Sequence, residues 1–329
     1  MLLVGYGVRG RQWHSALGRS PSVEVLAAVD PDEDARGRAE AAGLAPYPNL
    51  DDALGMSLTG LALVCSPPAE HADHAVACLE SGWSVMVEKP LALSLKGARA
   101  VARAAELTNQ AVVVGQNFRF RPGERTLRRL LDLKIVGTPL ASSVLSVRPP
   151  TTARDHVRAD PHGTLWDICL HHLDCLRTRF DDLPARVRAT NGPAEEWRVE
   201  LEWDDGFVAG YRHHERSPVF HHHELLEGTS GAVMRTGERV TVISPAHRPR
   251  RARPRRAPTP ESTIIEALLD PGHPAREALS ARANLPTIAI VEAAIRSAGE
   301  GGAPVGLGQV LPGAGRGGAA NGAGPRAGG

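Results

Sequence analysis

Apolar and polar positions in the first 120 residues follow two alternating rhythms. Short apolar runs ("LLV", "VEVLAAV", "GLALVC", "SVMV", "QAVVV") are each followed by a turn-forming stretch and then by apolar residues spaced three and four apart. Short apolar runs bounded by turn residues predict buried strands, and the three-four spacing predicts amphipathic helices. Strands alternating with helices predict a parallel, doubly wound α/β sheet. Ligands of such sheets lie beyond the carboxyl ends of the strands. Cys65-Ser66-Pro67-Pro68, Glu88-Lys89-Pro90 and Gln116-Asn117 all fall at such ends.

The rhythm changes after Pro122. "GERTLRRLLDLKIVG" predicts one amphipathic helix. "PLASSVLSVRPP", "ARVRATNG", "EEWRVELEWDDGFVAGYRHHE", "HHHELLEGTSGAVMR" and "RVTVIS" alternate with the period of strands and suit a sheet of about four to six strands. "RPRRARPRRAP", residues 248–258, reads as a solvated basic loop, and "LSARANLPTIAIVEAAIRSAGEG" as a closing helix. The division expected is a dinucleotide-binding domain over 1–120 and a second domain over 121–307, followed by a disordered Gly/Ala-rich tail over 308–329 with nothing to bury.

The opening stretch carries candidate chemistry. Val4 ends a strand, Gly5-Tyr6-Gly7-Val8-Arg9-Gly10 follows, and a helical pattern runs through Trp13 and Leu17. Only four residues precede Gly5, which predicts a short first strand and leaves open a start codon upstream of Met1. A second strand ends at Asp30, 20 residues after Gly10. Three glycines at this spacing are weak evidence alone, but strand, turn, helix, strand and acid in this order match a dinucleotide site. Gly5 permits the tight turn, Gly7 lets the backbone approach a pyrophosphate, and Gly10 lets helix and strand pack closely. The helix N-terminus offers N–H groups and the positive dipole end to phosphate. Asp30 would accept hydrogen bonds from a ribose 2′-hydroxyl and repel a 2′-phosphate, which favours NAD over NADP. The competing reading of Asp30 is a cap for the next helix.

Charge and composition narrow the class. The net charge of +1 exerts no global pull on nucleic acid or an acidic membrane. Four cysteines in 329 residues make no disulfide framework. No window has the roughly 18 apolar residues of a membrane helix, and the N-terminus lacks the marks of a secretion signal, so a soluble cytoplasmic protein is expected. Lysine is rare: Lys89, Lys96 and Lys134 are the three among 38 basic residues. A position needing only positive charge would be arginine in this chain. Lys89, at a strand end, therefore suggests a group whose proton can be exchanged. Pro90 makes the bond before it one that can be cis. The competing reading is a solvated lysine paired with Glu88.

"WDICLHHLD", residues 166–174, places two adjacent histidines between two aspartates. On an α-helix Asp167, His171 and Asp174 share one face, and His172 turns about 100° away. A carboxylate beside an imidazole fixes its tautomer and raises its basicity, as a general base needs. The spacing thus favours His171 over His172, with a tethering Asp–His pair as the alternative. Cys169, His171, His172 and Cys175 form no complete tetrahedral set, and the histidines of "FHHHE" at 220–224 alternate faces in a strand, so no functional metal is expected.

Taken in order, "GYGVRG", "CSPPAEH", "SGWSVMVEKPLAL", "QNFRFRP" and "WDICLHHLD" resemble the Gfo/Idh/MocA family, which includes glucose–fructose oxidoreductase and inositol dehydrogenase. The resemblance covers about residues 1–310 and is strongest up to 180. It implies an N-terminal Rossmann domain, a C-terminal α+β domain with a large open, mainly antiparallel sheet, and a homodimer or homotetramer formed through that sheet. The implied chemistry is NAD(P)-dependent hydride transfer at a carbinol or carbonyl carbon of a sugar, cyclitol or derivative. By this resemblance Lys89 touches substrate hydroxyl and nicotinamide, Asp167 binds substrate, and His171 is the acid/base. The cofactor set expected is Gly5, Gly7, Val8, Arg9, Gly10, Asp30, Ser66, Pro67, His71, Glu88, Lys89 and Asn117, and the substrate set is Lys89, Arg119, Asp167, His171 and His172. Two departures bear on the substrate. Cys169 stands where the family often has glycine, and His172 follows a histidine that is usually single. They leave room for a reductase of an imine or unusual carbonyl in specialised metabolism. A non-catalytic dinucleotide-binding regulator is the remaining alternative.

Overall fold

A computed structural model of the chain describes residues 1–20, 22–55, 60–150, 160–180, 182–193 and 195–313. The chain divides into two compact units, Met1–Asn117 with Thr259–Ile288, and Phe118–Pro258 with the residues from Ala289 onward. The first division lies three residues before the expected 120/121, and 259–288 returns to the first unit. That return is invisible to a linear reading of 121–307 as one domain.

The first unit holds six parallel strands: β1 (Leu2–Val4), β2 (Ala27–Val29), β3 (Ala45–Tyr47), β4 (Leu61–Val64), β5 (Ser84–Val87) and β6 (Val112–Val114). Their spatial order is β3-β2-β1-β4-β5-β6, which reverses direction at β1/β4. β1, β2 and β6 are buried throughout, because helices cover both faces of a parallel sheet. The helices are punctuated by their caps. Asp32 accepts from the Asp34 N–H at the start of Glu33–Ala41, and Ser94 accepts from the Gly97 N–H at the start of Leu95–Thr108. Thr259 caps Pro260–Leu269, whose proline occupies the first turn where no N–H is needed.

The second unit is built on a nine-stranded, mainly antiparallel sheet, larger than the four to six strands expected. Its strands are β7 (Pro139–Val147), β8 (Arg186–Gly192), β9 (Glu196–Glu202), β10 (Val208–His214), β11 (His221–Gly228), β12 (Gly231–Thr236), β13 (Arg239–Ser244), β14 (His247–Ala252) and β15 (Val305–Gly306). Their order is β14-β13-β12-β11-β7-β10-β9-β8-β15, and β7 pairs in parallel with β10. The extra strands have identifiable sources. Two apolar-alternating runs are hairpins, β9–β10 and β11–β12. The basic stretch expected as a loop contributes β14, which pairs with β13 through Thr241↔Arg251 and Val242↔Arg250. Ladder hydrogen bonds come from the backbone, so exposed arginines can line an edge strand, where charge also discourages further pairing. The expected tail begins too early as well. Leu307–Val310 is helical with Leu307 buried, and residues 314–329 lie outside the described residues.

A buried apolar cluster of Leu127, Leu130, Val136, Leu226, Val233, Val240 and Val242 packs helix Pro122–Asp132 against the sheet. Beside it lies a buried ion network. Glu124 is fully buried and meets Arg179, Arg235 and Arg128, and Arg179 also donates to Glu224. Burial alone would raise the Glu224 carboxyl, but Arg179, His222 and Arg235 outweigh it and hold it at about 2. Among the described residues no helix is long and apolar enough to cross a membrane.

Removing one partner of a buried ion pair leaves an uncompensated charge, so Arg179→Ala is expected to cost about 3–5 kcal/mol of stability, read by urea unfolding at neutral pH. Glu224 has a depressed folded-state pKa. Its contribution is complete above about 4.5 and is lost as pH falls through about 2, so the wild-type urea midpoint should fall across that window.

Candidate functional site

In the first unit the glycine turn joins β1 to helix Val8–Leu17. Gly5 adopts φ +95°, and a Cβ there would lie 2.7 Å from the backbone of Cys65 and Ser66. A Cβ on Gly10 would lie 2.1 Å from the Gly5 carbonyl oxygen, so helix and turn touch as the spacing predicted. Gly7 differs from both: a Cβ there would meet nothing within 4 Å. The space beside it is left open by the protein, and no side chain caps the helix. Val8 follows it and is exposed. Open space against a bare helix N-terminus suits an anion such as a pyrophosphate.

Asp30 ends β2 beside this turn. Its Oδ2 accepts from the Tyr6 N–H at 2.7 Å and its Oδ1 from the Asp32 N–H at 3.0 Å. The cap of the following helix is Asp32, so the capping reading of Asp30 is not what the structure has. Each carboxylate oxygen accepts more than one hydrogen bond, which leaves Asp30 capacity for a ribose hydroxyl.

Glu88 and His71, expected as cofactor contacts, are instead turned inward. Glu88 is 4 % exposed; Arg9 Nε and Trp13 Nε1 both donate to its Oε1, at 2.7 and 2.5 Å, and the Lys89 N–H donates to Oε2 at 3.2 Å. A buried carboxylate needs these donors, so it is spent on holding the loop. The Arg9 guanidinium is spent with it, lying 5.1 Å from the Trp13 ring centroid and donating also to Gln12. His71 is 2 % exposed, with Nδ1 2.6 Å from the Pro90 carbonyl and Nε2 2.9 Å from the Ser66 carbonyl. Burial pushes its pKa down despite these two carbonyls. It pins the turn after β4 to the turn after β5. Ser66 receives a second tie from His74, while Pro67 stays exposed. Lys89 is partly buried directly after β5, and the Lys89–Pro90 bond is cis. Asn117 ends this unit, with its Oδ1 buried and unpartnered.

In the second unit the helix carrying the two histidines is not α-helical throughout. Leu165–Cys169 winds as a π-helical turn, closed by the Leu170 N–H to the Leu165 carbonyl, and leads into helix Leu170–Arg177. A π turn takes more residues per turn than an α-helix, so the 100° step used for Asp167 and His171 does not hold across it. The two aspartates separate. Asp174 is 1 % exposed and receives Arg119 bidentately at 2.6 and 2.7 Å, with Arg177 at 3.3 Å. Arg119, expected at the substrate, is therefore committed to a buried ion pair. Asp167 keeps partial exposure, and its Oδ2 accepts from Arg148 Nη1 at 2.8 Å. Arg148 Nε donates in turn to Glu215 at 2.6 Å, and Thr164 donates to the same oxygen at 3.2 Å. Arg148 and Glu215 escaped the sequence reading, since "SVRPP" and "RHHE" show only a charge at each strand end.

His171 and His172 are both buried but in different company. His171 stacks on Phe118 with centroids 4.0 Å apart and planes 8° apart. His172 lies between His222 at 4.9 Å and Tyr211 at 5.3 Å, and meets Phe118 edge-on at 5.4 Å. Burial, with His222 and His171 close by, pushes the His172 imidazole well below its usual pKa and keeps it neutral. His172 faces a small polar cavity with Arg179, His222, Glu224 and Arg235. His221 and His223 point to the other side of β11 from His222, as strand alternation requires. Among the described residues no group of three or more His, Cys, Asp or Glu is arranged to hold a metal ion.

Residues 1–116 match the family model described as "Oxidoreductase family, NAD-binding Rossmann fold". The match falls within the first unit, which is thus similar to the NAD-binding domain of the Gfo/Idh/MocA oxidoreductases. The chain is 30 % identical over 185 residues to inositol 2-dehydrogenase 3 of Saccharopolyspora erythraea, covering 55 % of this chain and 53 % of that one. It is 27 % identical over 227 residues to 1,5-anhydro-D-fructose reductase of Ensifer adhaerens, covering 64 % of each. The matched stretch thus spans about half to two thirds of these relatives. An oxidoreductase of Agrobacterium radiobacter, solved with NAD+, L-tartaric acid and magnesium, shares the fold with a TM-score of 0.76 at 19 % identity, over 94 % of this chain and 98 % of that one.

Two glycine variants separate cofactor contact from packing. Gly7→Ala is expected to leave stability within about 0.5 kcal/mol of wild type but weaken NADH binding about tenfold or more, because its methyl enters the open cradle. Gly10→Ala is expected to lower stability by about 1–3 kcal/mol, because its methyl meets the Gly5 carbonyl. Thermal unfolding and fluorescence titration with NADH read the two effects.

Proposed function

We propose that the protein is an NAD-dependent dehydrogenase or reductase acting on a carbinol or carbonyl carbon of a sugar, cyclitol or derivative. The observation that carries this is His171, stacked on Phe118 in a unit that also holds Asp167 on Arg148, in a chain whose other unit is an NAD-binding domain. The inositol dehydrogenase and anhydrofructose reductase relatives support the substrate class.

Bound NAD+ supplies the hydride acceptor for the carbinol carbon, and NADH the donor in reverse. The open cradle at Gly7 and the N–H groups of Val8, Arg9 and Gly10 hold its pyrophosphate. Asp30 accepts from the ribose hydroxyls and repels a 2′-phosphate, which favours NAD over NADP. His171 takes the hydroxyl proton as the alcohol becomes a carbonyl, and returns it in reduction. Asp167, oriented by Arg148, accepts a hydrogen bond from a substrate hydroxyl or from the His171 ring. Lys89 donates to the reacting oxygen and shares its proton, a task for which a lysine suits better than an arginine. All four cysteines are free, which suits a reducing compartment, and we assign the protein to the cytoplasm as a homo-oligomer.

The test is a screen of polyols with NAD+ and of keto-sugars with NADH, after binding of NADH and NADPH has been compared. NADH is expected to bind more tightly than NADPH. Lys89→Ala and His171→Ala are each expected to lower kcat about 10²–10⁴-fold. Full turnover by both variants would sink the assignment.

A further inference from the structure

We infer that Phe118 is a positioning residue for His171, clamped by Arg121 so that it sets the plane of the imidazole. This rests on the reading of His171 as the acid/base group. The Arg121 guanidinium carbon lies 3.5 Å from the Phe118 ring centroid, and the His171 ring lies parallel to Phe118 at 4.0 Å. Two flat groups at these distances cannot share one face of a benzene ring. Guanidinium, phenyl and imidazole therefore form a three-layer sandwich, with Phe118 in the middle.

The need for such a device follows from the side chain itself. Rotation about the last bond of a histidine is broad rather than confined to staggered wells, so the rotamer alone leaves the ring plane loose. A base must present a nitrogen within hydrogen-bond reach of the proton that it takes. A stacking surface 8° from parallel removes the loose rotation. That surface must itself be fixed, and three contacts fix it. Arg121 holds its far face by cation–π attraction. His172 abuts its edge, with planes 81° apart. His172 is in turn gripped between His222 and Tyr211. The second histidine of the pair is thus a stop for the phenyl ring that aims the first.

The experiment uses the full chain with isotope-labelled histidine, the His171 imidazole C–H resonance being assigned by its loss in His171→Gln. In the wild type this resonance should be displaced upfield by the Phe118 ring current. It should return to an ordinary position in Phe118→Leu, which keeps bulk but not a flat ring, and stay displaced in Phe118→Tyr. With the alcohol that the screen selects and NAD+, Phe118→Leu should lower kcat about 10- to 100-fold with KM within about twofold, as misplacement of a reacting group does. Phe118→Tyr should restore kcat to within about threefold. Arg121→Met should act in the same direction as Phe118→Leu but less. An imidazole resonance unmoved by Phe118→Leu would show that the stack does not exist. Wild-type kcat in Phe118→Leu, beside a dead His171→Gln, would overturn the positioning role and leave the acid/base reading standing. Wild-type kcat in His171→Gln would overturn both.

Discussion

A carboxylate taken out of water stays ionised only where a cation meets it, and this constraint organises both units of the protein. Glu88 is met by Arg9, Asp174 by Arg119 and Arg177, Glu215 by Arg148, and Glu124 with Glu224 by Arg179 and Arg235. Three of these pairs lie beside residues to which the proposed function gives a role. Glu88, the residue before Lys89, is tied to Arg9 and Trp13 of the helix after the glycine turn. Arg148 spans from Glu215 to Asp167. Asp174 ties the histidine helix to Arg119, the residue after Phe118. The scarcity of lysine fits this pattern, since guanidinium can serve two acceptors in a plane and an ammonium cannot. The cost of desolvating these ions is returned as fixed direction.

The adjacent histidines illustrate how one stretch of chain serves two purposes. Neighbouring imidazoles in one helical turn would repel if both were protonated. Here one is sealed in a stack with His222 and Tyr211, where burial keeps it neutral. The other lies on Phe118. The spacing expected His171 for chemistry and His172 for support, and the packing gives the two rings different neighbours. The 100° spacing behind that expectation fails, because a π turn intervenes. The extra residue in that turn is a common accompaniment of functional helices, where it re-aims a side chain without breaking the backbone ladder.

Much of the candidate site was legible because its motifs are local. The glycine turn, the acid 20 residues on, the Glu-Lys-Pro turn and the Asp-x-x-x-His spacing each sit within one strand–turn or one helix. Periodicity also marked which stretches form strands, and base composition exposed Lys89. What the local pattern could not show shares a different property. His71, Glu88, Arg119 and Asp174 are all polar residues in the right neighbourhood whose partners decide their role. Glu88 lies 79 residues from Arg9, and Arg119 lies 55 residues from Asp174. Nothing in the local pattern tells a polar residue that faces a ligand from one that faces an arginine.

The sequence by itself determined the alternation of strand and helix, the parallel sheet and its glycine turn, and the antiparallel character of the second unit. The alternation, the sheet and its turn, and the antiparallel pattern follow from hydrophobic period, turn chemistry and steric freedom, which act over a few residues. The tertiary structure alone decided the return of 259–288 to the first unit, the joining of hairpins and a basic edge strand into nine strands, the π turn, and the sandwich around Phe118. A hydrophobic period states that a face is buried. It does not state against what, and every one of these features is a choice of partner across the fold.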